Sequence, residues 1–415
     1  MKIPLASIGL RKKDIEAATR ILNSNQLTMG RVVKEFEKEM ANYLKVKHFV
    51  MVNSGSSANL AILEALLRPS VGKAKLHPGD GILVPAVAWP TTIWPIIQLG
   101  LRPIFVDVEL ETIAMDLNLA EKVVTENANI KAIFMIHPLG LGIKDKTLHD
   151  FCSKHNLIQI NDVCESLGSW SNGVHAGTSG IAGTFSFYFS HHITTMEGGG
   201  VATNDDLIAD DIRAIRSHGW SRDRYDVNDW RNQQNTSLLT QNISKNQLKF
   251  QFITTGFNIR PMEIQAAIGL EQLKDLSLFI RKRRSIAKAV KNSLEDTVFE
   301  VIDANTLEDS ETKLNHSWML IPIKVNLSIT AERRQLLDFL LEEMEIESRP
   351  VLTGNFLRQS AVQHVIDAPR PEKFKNAELI STNYFMVGCH PDLTNNQIKY
   401  LGESLKKIAS ELLLI

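Results

Sequence analysis

Two adjacent histidines, His191 and His192, stand between alternating apolar residues and a glycine bend in FSFYFSHHITTMEGGGV, residues 185–201. The alternation predicts a strand and the three glycines a tight return, so both imidazoles fall where a sheet ends. With Ser186 at its head, this composition suits phosphate binding and proton transfer. A polar turn with two incidental histidines explains the stretch equally well, so other residues must decide. In HFVMVNSGSSANLAILEALL (48–67) the period changes from strand to helix across Asn53–Gly55. That helix start offers unpaired backbone N–H groups and the hydroxyls of Ser56 and Ser57 to an anion, although serines there can also simply cap the helix. Asp162 directly follows an apolar strand in NDVCESLG (161–168). A lone carboxylate there is costly without a cationic partner, such as a protonated ring nitrogen. Trp89, in AVAWPTT (86–92), could give a ring a flat face.

The elements that must position these residues follow from periodicity. Helical spacing marks 12–22 and 31–45, and strand-like runs at 81–85, 103–108, 131–136 and 157–161 alternate with helical or loop segments. Such alternation predicts an α/β domain with a mostly parallel sheet, whose ligands gather at the carboxyl ends of the strands. Residues 86–92, 161–168 and 185–201 converge there. A helix over 205–217 precedes the polar, Asn/Gln-rich stretch 221–250, which has little periodicity. After a turn at 256–261, helices are predicted over 262–274 and 276–294, the basic cluster Arg281–Arg284 of the second lying on a solvated face. Strands at 316–325 and 345–352 and helices at 330–344 and 394–413 describe a smaller α/β domain. The expected division is 1–280 and 281–415.

Composition narrows the function classes. Of 415 residues, 46 are lysine or arginine and 47 aspartate or glutamate, a balance that gives no reason to expect nucleic acid or an anionic membrane. Cys152, Cys164 and Cys389 have no metal-ligand spacing and leave an odd count for pairing, so no metal and a reducing cytoplasm are expected. The N-terminus MKIPLASIGLRKKD lacks the apolar core of a signal peptide, and no run has the length of a membrane span.

NSGSSANL (53–60), NDVCESLG (161–168), FSFYFSHHITTMEGGGV (185–201) and GFNIRPMEIQAAIG (256–269) follow one another in that order. Together they resemble the DegT/DnrJ/EryC1/StrS sugar aminotransferases, fold-type I enzymes of pyridoxal phosphate, over essentially the whole chain. The resemblance implies a large domain built on a mostly parallel seven-stranded sheet, a smaller C-terminal α/β domain, and a homodimer with shared sites. It also implies that Ser56, Ser57 and Ser186 bind the cofactor phosphate, Trp89 stacks on its ring, and Asp162 pairs with the ring nitrogen. Glu165 would lie near the ring hydroxyl, and Asn258 would reach the phosphate held by the partner. His218, Glu347 and Arg349 are implied to contact the sugar or the amino donor.

Counting back from Glu197-Gly198-Gly199, His191 occupies the position of the family's cofactor-anchoring lysine. An imidazole cannot make that covalent link, which argues against ordinary transamination. With PLAS (4–7), LTMG (27–30), VPAVAWPTT (84–92), SHGW (217–220) and RPVLTGNFL (349–357), the replacement resembles the family's 3-dehydratases of nucleotide-linked 4-keto-6-deoxy sugars, in the colitose branch of O-antigen synthesis. This implies pyridoxal and pyridoxamine phosphate as cofactor forms and L-glutamate as amino donor. It further implies GDP-4-keto-6-deoxymannose as substrate and His191 as acid and base. No residue pattern reads guanine over cytosine by a physical rule. A related dehydratase of CDP-linked sugars carries an iron–sulfur cluster, which takes four cysteine thiolates; three cysteines imply none here. The alternatives are an aminotransferase whose lysine lies elsewhere and a non-catalytic, cofactor-binding homologue.

Overall fold

Short apolar runs bounded by turn residues become strands in the computed structural model, which describes residues 1–7, 9–68, 76–141, 143, 145–223, 250–303 and 316–414. The first are β1 (His48–Val52), β2 (Gly81–Pro85), β3 (Arg102–Val106), β4 (Ile130–Ile136) and β5 (Ile158–Asp162). A small hairpin follows, β6 (Trp170–Ser171) and β7 (Val174–His175), and then β8 (Ala182–Ser186) and β9 (Gly199–Thr203). Seven strands form one sheet in the order β1-β9-β8-β5-β4-β2-β3. Only β9 runs against its neighbours, so the sheet is mostly parallel as expected. Helices α1 (Lys12–Asn23), α2 (Arg31–Leu44), α3 (Gly55–Leu66), α4 (Pro90–Gln98), α5 (Leu117–Glu126), α6 (Asp145–His155) and α7 (Asp206–Ile215) connect and cover it. On α3, Ile62, Leu63 and Leu66 are fully buried, each contributing about 1.5–3 kcal/mol. This burial fixes the axis of α3, and with it the direction in which its N-terminus points.

A second sheet, β10 (Phe299–Val301), β11 (Leu320–Val325), β12 (Ser348–Arg349) and β13 (Tyr384–Gly388), is antiparallel in the order β10-β11-β13-β12. The strand expected over 345–352 is therefore only its middle pair. β13, YFMVG, is wholly buried between β11 and β12, yet five apolar residues directly after a helix are too few to show a period.

The two helices expected at 262–274 and 276–294 are one, Glu263–Ser293, which crosses the division placed at 280. No proline or glycine interrupts it near Asp275. That carboxylate is held from the side by Arg11 and by Lys13 at 2.6 Å. Its basic cluster is not a solvated face throughout: Arg283 is 3% exposed, turned inward between the two sheets. At the helix start, buried Glu263 accepts the N–H groups of Gly30 (2.8 Å), Val32 (2.9 Å) and Val33 (2.8 Å). This caps α2 with a negative charge and fixes the LTMG stretch before it.

Among the described residues no helix is long and apolar enough to cross a membrane. All three cysteines are free. Of the polar stretch 221–250, residues 224–249 lie outside the described residues.

Candidate active site

The carboxyl ends of β5 and β8, the start of α3 and the start of α4 open onto one cavity of about 420 Å³, closed on the far side by Met319, Arg349 and Leu352. It collects the three stretches expected to converge there. From 86–92 come Trp89, Thr91 and Thr92, from 161–168 Asp162, Cys164 and Glu165, and from 185–201 Ser186, Tyr188, Ser190, His191 and Glu197.

One end is formed by the start of α3. Ser54 caps α3, accepting the N–H of Ser57 at 3.1 Å, while its own hydroxyl donates to that of Ser57 at 3.0 Å. Ser56, one residue nearer the helix start, is left lining the cavity. The backbone here is crowded by design. A Cβ on Gly55 would fall 2.5 Å from the Ser186 Cβ, and one on Gly199 only 2.4 Å from the carbonyl carbon of Ser54. Glycine at both positions lets β9 and the end of β8 lie directly against the helix start, which brings Ser186 to the N–H groups of α3.

Asp162 lies at the end of β5 and is 6% exposed. Its Oδ2 accepts from Asn59 Nδ2 (2.8 Å) and Thr92 Oγ1 (2.7 Å), and its Oδ1 from the Cys164 N–H (3.1 Å). Thr184 in turn donates to Asn59 Oδ1 at 2.6 Å, orienting that amide. Among the described residues no lysine or arginine pairs with Asp162 within 4 Å. A buried carboxylate held by neutral donors, and facing a cavity, is the partner a protonated ring nitrogen needs. Asn59, Thr92 and Thr184 escaped the sequence reading. Asn59 sits within NSGSSANL one turn into a helix, where its type reads as ordinary.

His191 lies half-buried on the cavity wall, with Tyr188 edge-on at 6.2 Å. Burial, then Arg349 and Arg283, push its imidazole down to about 3, so it stands in the cavity as a neutral base. Once protonated, it readily returns the proton. His192 differs. It is 2% exposed, absent from the cavity wall, and held well below the ordinary range by burial and Arg283. Burial pushes the Glu165 carboxyl up, against the pull of Arg349 and of the Leu139 N–H that donates to Oε2 at 2.9 Å. The Cys164 thiol is driven far above its usual range by burial and by Asp162, which leaves it unreactive.

Thus Ser56, Trp89, Asp162, Glu165, Ser186, His191 and Arg349 meet in one cavity. Trp89 is 47% exposed at the N-cap position of α4. Arg349 stands 3.8 Å from Glu165. Glu347 does not enter: it is exposed, bound to Lys2 at 2.9 Å and to the Leu5 N–H at 3.0 Å. His218 is exposed beside Trp220. Asn258 is exposed, its Oδ1 accepting from Arg260 Nε at 3.0 Å. Among the described residues, no lysine lines the cavity.

The DegT/DnrJ/EryC1/StrS aminotransferase family model matches residues 9–406. GDP-4-keto-6-deoxy-D-mannose 3-dehydratase of Yersinia pseudotuberculosis is 37% identical over 407 residues, which are 98% of this chain and 99% of that protein. A crystal structure of a GDP-4-keto-6-deoxymannose-3-dehydratase, a histidine-to-asparagine mutant with bound GDP-perosamine, is similar at a TM-score of 0.85 and 34% identity, covering 98% of this chain and 100% of that one. Another structure of a GDP-4-keto-6-deoxymannose-3-dehydratase, with a trapped PLP-glutamate geminal diamine, gives 0.84 and 35% over the same shares.

Proposed function

The chain belongs to the DegT/DnrJ/EryC1/StrS family, and from that premise we propose that it is a pyridoxal-phosphate-dependent 3-dehydratase of GDP-4-keto-6-deoxymannose that uses L-glutamate as amino donor. The observation that carries this reading is His191 in a cavity whose described wall holds no lysine. Without a covalent anchor, the cofactor is held only by the residues around it.

Those residues fit pyridoxal phosphate. The N–H groups at the start of α3, with Ser56 and Ser186, take the phosphate. Ser57, tied to the capping Ser54, supports that turn from behind. Asp162 would keep the ring nitrogen protonated, Trp89 would stack on the ring, and Glu165 would meet the ring hydroxyl. When bound, the cofactor carries the amino group from glutamate and supplies an electron sink next to the sugar. His191 does the proton work. Its neutral imidazole accepts a proton at a ring nitrogen and gives it to the departing 3-hydroxyl oxygen. Arg349 offers a cation to the donor carboxylate or the nucleotide sugar. The overall change converts ketosugar and glutamate to 3-deoxy ketosugar, 2-oxoglutarate and ammonia.

Mass spectrometry of the products from GDP- and CDP-linked 4-keto-6-deoxy sugars, side by side, tests the reading. The expected result is a deoxy ketosugar from the GDP substrate; an amino sugar from either would overturn it.

The working unit in this reading is a homodimer in the cytoplasm. Asn258 is exposed and does not line the chain's own cavity, which supports its reaching the phosphate held by a second copy. Sedimentation should give the mass of two chains, and a monomer turning over at full rate would refute the shared site.

A further inference from the structure

Arg283 was expected in solvent and is instead buried where four backbone carbonyls converge. Its Nη1 donates to the carbonyls of Trp318 (3.1 Å), Met319 (2.8 Å) and Cys389 (3.1 Å), and its Nη2 to that of His191 (3.2 Å). Trp318 and Met319 lead into β11, and Cys389 follows β13. Burying a guanidinium costs several kcal/mol unless its donors are satisfied. Three of these contacts would suffice to staple the long helix to the small sheet. The fourth goes to the residue placed at the centre of the chemistry.

The same segment reaches the other side of the cavity. The Met319 N–H donates to the Leu139 carbonyl at 2.8 Å, and the Leu139 N–H donates to Glu165. We propose that Arg283 is a positioning residue, whose fork fixes the backbone of His191 to Trp318–Met319 so that imidazole and Glu165 share one frame. The inference rests on His191 being the acid and base of the proposed dehydration. Lysine could not reproduce it, because a point charge lacks the planar fork that spans four acceptors.

The guanidinium also bears on the charge state of the imidazole. Facing His191 are Arg349 from β12, Arg283 from the long helix, Cys164 after β5, and Tyr188 and His192 from its own segment. The acids on the same cavity are Asp162, Glu165 and Glu197. Arg283 lowers the His191 pKa, so its removal must raise it, and the acid limb of kcat/KM must move to higher pH.

Arg283→Lys and Arg283→Gln in the full chain test this, with histidine-selective NMR of the protein without added ligand alongside steady-state kinetics. The His191 signal is assigned by difference with His191→Asn. Both variants are expected to fold and to lose about 10–100-fold in kcat, the effect of misplacing a catalytic group. KM for the nucleotide sugar should stay within about threefold. In Arg283→Gln the His191 titration and the acid limb should rise together. Wild-type kcat with an unmoved His191 titration would overturn the proposal. So would a rise in KM with lost thermal stability and an unmoved titration, or a failure of both variants to unfold cooperatively, since each assigns Arg283 to the fold alone. An unaltered dehydration rate in His191→Asn would instead remove His191 as the acid and base on which this inference rests, and the NMR titration would still report on Arg283.

Discussion

Replacing His191 with asparagine is expected to lower dehydration by roughly 10²–10⁴-fold, the usual worth of a positioned acid–base group. The side chain stands on a cavity wall, and among the described residues its ring Nδ1 has no hydrogen-bond partner, so asparagine there is expected to leave the fold intact. Cofactor should therefore still bind. His191→Lys goes further. It restores the amine at the family's anchoring position, beside the same Ser186 and Asp162, and should yield a cofactor that borohydride fixes to the chain, with dehydration abolished. Peptide mapping after borohydride locates that link, and full dehydratase turnover in His191→Asn would show that the base lies elsewhere. His192 is the rival, but a residue 2% exposed behind the wall reaches no substrate.

The second large effect is expected at Asp162. Asparagine there keeps an oxygen for Asn59 and Thr92 to donate to, yet removes the charge that faces the cavity. Turnover should fall about 10²–10³-fold, the scale seen when one preorganised electrostatic group is lost. Cofactor retention should fall as well, measured by equilibrium dialysis, because the variant has neither a covalent anchor nor a counter-charge for the ring nitrogen. Wild-type retention and rate in Asp162→Asn would contradict the assignment.

Residue type and local period made much of this visible. NSGSSANL announced a helix start with free donors because the period change and the serines fall at one point. Asp162 stood out because a carboxylate ends an apolar strand. What stayed hidden depends on contacts between distant segments. Asn59 and Thr92 are 103 and 70 residues from the carboxylate they serve, and nothing in their own neighbourhoods marks them. Arg283 reads as one of four basic residues on a helix; only the packing of β11 and β13 against that helix shows which one turns inward. The helices expected over 262–274 and 276–294 are continuous through Asp275, whose carboxylate is satisfied by the distant Arg11 and Lys13. Glu347 shows the converse. Arg349, two residues on, faces the cavity, whereas Glu347 precedes the two-residue strand β12 and is claimed by Lys2 and the Leu5 N–H of the N-terminal segment.

A histidine in the lysine position turns an aminotransferase scaffold into a dehydratase. The most direct test is to measure 2-oxoglutarate and ammonium in one reaction of the purified protein with pyridoxal phosphate, glutamate and GDP-4-keto-6-deoxymannose. Dehydration predicts ammonium, 2-oxoglutarate and deoxy ketosugar in equal amounts. Formation of 2-oxoglutarate without ammonium, with the nitrogen retained on the sugar, would contradict it.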